Sequence, residues 1–179
     1  MKMLAEFAIL LGVVALLAGC DATIGTTETT TRTTGTHQFG VQTKTSGCVA
    51  SGGLPDSACT PGAIFPDATK DKICQSGYAT SVRNVPTSEK DAVYAEYGIA
   101  SHSPGQYEVD HLVSLELGGS NDISNLWPEL ASPTPGFHQK DQVENYLHDQ
   151  VCSGAIPLAT AQQEIATNWL AVYNSMPSQ

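Results

Sequence analysis

The chain has 179 residues, enough for one domain of ordinary size with accessory segments. Eight basic residues stand against eighteen acidic ones, a formal net charge of −10. So acidic a balance offers no basic face and excludes tight, sequence-specific nucleic-acid recognition, leaving room only for weak, salt-sensitive contact.

At the start of the chain, Lys2 precedes an apolar run from Phe7 to Ala18. That run is too short to cross roughly 30 Å of hydrocarbon as a helix, but it suits the core of a signal peptide. Glu6 is an unusual charge just before such a core. The run closes on Leu17-Ala18-Gly19-Cys20, which resembles the lipobox of bacterial lipoproteins. The resemblance implies removal of residues 1–19, lipidation of Cys20, export, and a lipid anchor in the bacterial cell envelope. Residues 20–47 are rich in threonine with little apolar periodicity, so they cannot bury enough surface to offset the entropy of ordering and read as a flexible tether. The domain is expected over residues 48–179.

Four cysteines remain if Cys20 is acylated, an even number in an export context. Of the three connectivities, Cys48–Cys59 and Cys74–Cys152 are favoured, because the first two flank one Gly- and Pro-rich turn region. Zinc is the rival reading, but the spacings form no paired C-x-x-C pattern.

Ser51 to Ala68 is Gly-, Pro- and Asp-rich and reads as loop. Asp71 to Val85 reads as a short strand or helix that buries Cys74. Ser88 to Tyr97 is predicted helical, capped by Thr87 or Ser88 and stopped by Gly98. Tyr107 to Leu115 reads as a strand, with a short strand at Leu126–Trp127 returning after a Gly-Asn loop. Gly136 to Val151 is predicted to form a helix ending at Gly154. Leu158 to Tyr173 forms another, with Ile165, Trp169, Leu170 and Val172 on its core face. The class is therefore α+β.

The chemistry concentrates in Tyr107-Glu108-Val109-Asp110-His111-Leu112, in Leu117-Gly118-Gly119-Ser120-Asn121-Asp122-Ile123-Ser124-Asn125-Leu126-Trp127-Pro128-Glu129, and in His138-Gln139-Lys140. A carboxylate–histidine pair ends an apolar run, a glycine-asparagine loop follows, and a second histidine opens a helix. That order resembles the HNH (His-Me finger) endonucleases. The resemblance implies a ββα-metal hairpin-plus-helix core with additional packed helices, stabilised here by disulfides, and extends more weakly from about Pro61 to Tyr173. It also implies hydrolysis of nucleic-acid phosphodiesters to 5′-phosphate and 3′-hydroxyl ends.

In that reading His111 is the general base, since a neutral imidazole with an unperturbed pKa near 6.5 suits proton abstraction at neutral pH. Asp110 and His138 are the expected metal ligands. Two hard or borderline ligands completed by water fit Mg²⁺ or Mn²⁺ better than a closed zinc site. Position 142 holds glutamine where many members carry a third histidine. Asn125, fourteen positions after His111, matches the family's middle asparagine and would brace the loop through its amide. Asn121 is the other candidate, as a turn cap. Arg83 and Lys140 are candidate phosphate contacts, while Asp141 and Glu144 gain no role from spacing alone.

The expected partners are DNA or RNA, bound weakly and without sequence preference, and a membrane through the anchor; nothing points to a protein partner. Two other readings stay open. One is a non-catalytic envelope lipoprotein that keeps the fold as a binding or structural module. The other is a metal-dependent hydrolase acting on other phosphate esters with the same Asp-His-His set.

Overall fold

The computed structural model describes residues 38–177. The expected signal peptide, Cys20 and the first part of the tether lie outside the described residues. Among the described residues the architecture is α+β: five helices and one two-stranded antiparallel sheet.

Strand β1 (Tyr107–His111) pairs with β2 (Leu126–Leu130), in a register running from Tyr107 opposite Leu130 to His111 opposite Leu126. Pro128 is tolerated in β2 because each strand of a two-stranded sheet is an edge, so a missing ladder donor costs little. The expected strand to Leu115 stops four residues early. The Val113 N–H donates to the Asn125 side chain (2.9 Å) and not to a strand partner, and the chain then enters a 3-10 turn over Leu115–Leu117. β2 is longer than expected for the complementary reason: it must match all of β1. Between the strands Gly119 runs against Val113, where a Cβ would lie 1.8 Å from the Val113 carbonyl oxygen. No side chain fits that crossing.

Asp71 to Val85 resolves into two short helices, α1 (Lys70–Ile73) and α2 (Tyr78–Val82). Helix α3 (Thr87–Glu96) starts earlier than expected. Pro86, neither Thr87 nor Ser88, sits at the N-cap, and no side chain caps it. Gly98 follows its end at φ +68°.

Helix α4 (Phe137–Ser153) opens with Gln139 Oε1 accepting the Gly136 N–H at 2.9 Å, and Gly154 closes it at φ +86°. Helix α5 (Leu158–Ser175) bends at Asn168, whose φ −167° and ψ 82° leave the helical region. Trp169 beside the bend is fully buried, and its Nε1–H donates to the Gly53 carbonyl at 2.9 Å. It is a core residue, as its spacing predicted. Val143, Leu147 and Val151 of α4 pack with Ile165 and Trp169 of α5 and with Leu112, Leu117 and Trp127 of the hairpin into one core. This burial fixes where the start of α4 lies relative to β1.

The boundary between tether and domain moves toward the N-terminus. Phe39 packs against the core, Gly40 N–H donates to Gly62 O (2.7 Å), and Thr43 N–H donates to Ala58 O (2.8 Å). Lys44 pairs with Asp56 at 2.9 Å. A threonine-rich composition concealed these anchors because the Gly40 and Thr43 bonds use backbone groups, which carry no compositional signature, and Phe39 and Lys44 stand as isolated side chains.

The disulfides are Cys48–Cys59 and Cys74–Cys152, the pairing favoured from sequence. Such bonds mark an oxidising, exported environment. No helix among the described residues is long and apolar enough to cross a membrane. The Cys74–Cys152 bond spans 78 residues against 11 for Cys48–Cys59. Loop-closure entropy assigns about 4–5 kcal/mol to the longer and about 3 kcal/mol to the shorter. Removing Cys74 and Cys152 together should therefore lower the melting temperature more than removing Cys48 and Cys59. Equal losses in calorimetry would refute that ranking.

Candidate functional site

The site is built where β1 ends and α4 begins. Alternation along β1 sends Asp110 and His111 to opposite faces of the hairpin. His111 is only 2% exposed. Its Nε2 lies 3.2 Å from Asn121 Oδ1. The Asn121 amide is oriented by two further bonds: Nδ2 donates to Val82 O (2.8 Å), and Oδ1 accepts from Asn84 N–H (3.1 Å). An amide oxygen only accepts, so the imidazole carries its hydrogen on Nε2 and its lone pair on Nδ1. Asn121 thus does more than cap a turn: it sets the tautomer of His111 and ties it to the segment that carries Arg83.

Burial holds the His111 imidazole down at about 4; the Asp110 carboxylate and the Asn121 bond oppose this, and Arg83 and Lys140 add to it. The expected titration near neutrality is therefore corrected. Because the folded value lies below the unfolded 6.5, His111's contribution to stability is complete above about 6.5. It is lost as pH falls from 6.5 to 4, by about 3 kcal/mol in all. If His111 is the base, the rate should stay level from neutrality downward and drop only as the imidazole protonates near 4. A pH–rate profile with a step near 6.5 would contradict this environment.

Asn125 is fully buried and bridges backbone groups across the loop. Oδ1 accepts from Val113 N–H (2.9 Å), while Nδ2 donates to Val113 O (3.0 Å) and Ser120 O (2.8 Å). One amide closes the loop behind His111 without itself titrating.

Lys140 departs from its expected role. It is completely buried, and its ammonium donates to Asp110 Oδ2 (2.7 Å), to His111 O (2.7 Å) and to Glu144. A phosphate cannot reach it. It is a structural counter-ion that holds both residues of the Asp-His pair from the helix side. The three neighbouring carboxylates raise its own pKa well above the lysine value despite burial. Burial pushes Asp110 up, but the Lys140 ammonium outweighs it and leaves the carboxyl below its usual range. Glu129 is buried beside Asp110 and both its oxygens lack a hydrogen-bond donor. Burial first, then Asp110, drives its pKa far up, so it is neutral at physiological pH. Burial likewise raises Glu144.

His138 lies on the first turn of α4 with its side chain 73% exposed. Its Nδ1 is 3.9 Å from Asp141 Oδ2, and no hydrogen bond or ion pair joins it to Asp110. The Asp141 carboxyl is raised by partial burial and then by the charge of Asp110, while Lys140, His138 and Arg83 pull it down. Glu108 is raised by burial and then by Asp110 and Asp141. Arg83 is exposed at the end of α2, and its charge lowers Glu108 and Asp141 and disfavours protonation of His111. Glu108 and Asp141 each feel the charge of Asp110, which Lys140 and Arg83 partly offset.

Among the described residues one three-member group has metal-ligand geometry: Cys74, His148 and Cys152, with donor atoms within 4.8 Å of one another. Its sulfurs are bonded to each other, which leaves no thiolate to bind an ion. It is separate from Asp110. No protein-family model matches the chain, and no curated protein or solved structure shows a significant match to it.

Proposed function

We propose that the chain is a metal-dependent endonuclease with a ββα-metal core, hydrolysing nucleic-acid phosphodiesters with His111 as general base. The observation that carries the proposal is a neutral imidazole with its tautomer fixed, buried at the end of a hairpin strand next to a carboxylate, with a helix start alongside. In this reading Nδ1 of His111 takes the proton of the attacking water, Asn121 and Asn125 hold the base, and Arg83 meets a phosphate oxygen. Asp110 and the first turn of α4, through His138 and its neighbour Asp141, would hold a divalent cation such as Mg²⁺ or Mn²⁺. When bound, that ion neutralises charge on the phosphate and stabilises the leaving 3′-oxygen. The same reading keeps residues 1–19 as a signal peptide and Cys20 as the lipid anchor.

One observation favours a second reading. Net acidity and the burial of Lys140 leave little positive surface, which fits a non-catalytic binding module. Incubating the full chain with plasmid and with RNA, in Mg²⁺, in Mn²⁺ and in chelator, separates the two. Nicking is expected with metal and not with chelator. Intact nucleic acid under every condition would discard the enzyme in favour of the module.

A further inference from the structure

The charge balance poses a physical problem for any nucleic-acid substrate. Affinity for polynucleotides ordinarily comes from neutralising phosphates. Beyond Cys48 the basic residues are Lys70, Lys72, Arg83, Lys90 and Lys140. Lys140 is buried and Lys72 pairs with Asp67 at 2.6 Å. Lys44 likewise pairs with Asp56, so among the described residues three cations remain, Lys70, Arg83 and Lys90, and substrate must be held chiefly by another interaction.

A charge-independent means of holding it lies on the strand that carries the Asp-His pair. Tyr107 opens β1, four residues before His111, and alternation puts both side chains on the same face, about 13 Å apart at the rise of an extended strand. Around Tyr107 stand Tyr94 from α3 and His102 from the following loop. Ring centroids are 4.5 Å apart for Tyr94 and His102, tilted by 35°. Tyr107 meets Tyr94 at 6.4 Å and His102 at 5.9 Å, both edge to face. These rings are not core residues: His102 is exposed, and Tyr94 and Tyr107 are half-buried. A groove of about 690 Å³, lined by Asp91, Tyr94, Ala95, Gly98, Ile99 and His102, runs beside them. The carboxylates nearby, Asp91 and Glu108, repel a phosphate backbone but leave an uncharged base unaffected.

We propose that Tyr94, His102 and Tyr107 form a stacking platform for unpaired bases, so that the substrate of the site is a single-stranded polynucleotide. This rests on reading the site as a phosphodiester hydrolase. Exposed aromatic rings gain stacking energy from any base, with little regard for sequence, provided that the base is not already stacked in a duplex. The strand would lie with bases against the platform and a phosphate at His111 and Arg83.

The test measures binding of the full chain, in chelator so that nothing is cut, to three labelled probes: a short single-stranded oligonucleotide, its duplex, and an abasic strand of equal charge. DNA and RNA versions of the first probe tell the two sources apart. The single strand is expected to bind roughly tenfold or more tighter than the abasic strand, a difference that persists at raised salt. His102→Ala with Tyr107→Leu should abolish that difference, while Tyr107→Phe, which keeps the ring, should retain it. Metal-dependent hydrolysis of bis(p-nitrophenyl) phosphate, which carries no base, should be unchanged in both variants. Equal affinity for abasic and base-bearing strands, tighter binding of duplex, or an undiminished preference in the double variant each overturns the platform. A base-dependent preference in a chain that hydrolyses nothing would overturn the hydrolase reading and leave the platform standing.

Discussion

His111→Ala should lower metal-dependent cleavage by a factor on the order of 10²–10⁴, the usual contribution of a positioned general base. The folded state should survive, because among the described residues the imidazole's one hydrogen bond is to Asn121. His111→Ala even removes the acid-sensitive group, so the variant should be less destabilised than the wild type between pH 6.5 and 4. Activity and acid stability thus move in opposite directions, a pattern that a merely structural histidine would not give. The neighbouring substitution behaves differently. Asp110→Asn should weaken metal response and be partly recovered at high Mn²⁺, and it also deprives Lys140 of a charged partner. Wild-type cleavage by His111→Ala would end the assignment of His111 as base.

Lys140→Met is expected to be strongly destabilising. It removes the one ammonium from among Asp110, Glu129 and Glu144 and leaves carboxyls buried without a counter-charge. Breaking a buried pair from one side costs roughly 3–5 kcal/mol, a large part of the stability of a domain this size. The His111 carbonyl also loses its 2.7 Å donor. Adding Asp110→Asn and Glu144→Gln to Lys140→Met should recover much of the loss, since three neutral side chains carry no uncompensated charge. Chemical denaturation reads this directly. A Lys140→Met protein as stable as the wild type would show that the buried ammonium has no such role.

The hairpin-and-helix order was legible because it is a matter of local pattern: a β-rich run, a Gly-Asn loop and a helix bracketed by Gly136 and Gly154. Asn125 was legible by spacing, and the cysteine pairing by position. Lys140 was misread as a surface contact because a lone lysine is usually solvated. Yet it falls on the apolar stripe of α4 with Val143, Leu147 and Val151, with Glu144 one turn on, and that register was the available signal. The depressed titration of His111 was not legible, since desolvation depends on what packs around the imidazole. The roles of Asn121 and Asp141 depend on contacts with Val82 and Asn84 and on proximity to Asp110, long-range relations that adjacent residues do not encode.

The Asn121 amide has a mechanical meaning. It joins the loop between the strands to the end of α2, 39 positions away in sequence, and bonds the imidazole through the same oxygen. On the opposite side Lys140 clamps the strand end to α4. His111 is therefore gripped from two directions before any substrate arrives. On the proposed reading as a phosphodiester hydrolase, a centre so held has little conformational freedom left to lose in reaching a transition state, and its reorganisation free energy is small at the step where a flexible site would spend most. Substitutions that loosen either grip should accordingly appear as a slower chemical step with substrate affinity nearly unchanged.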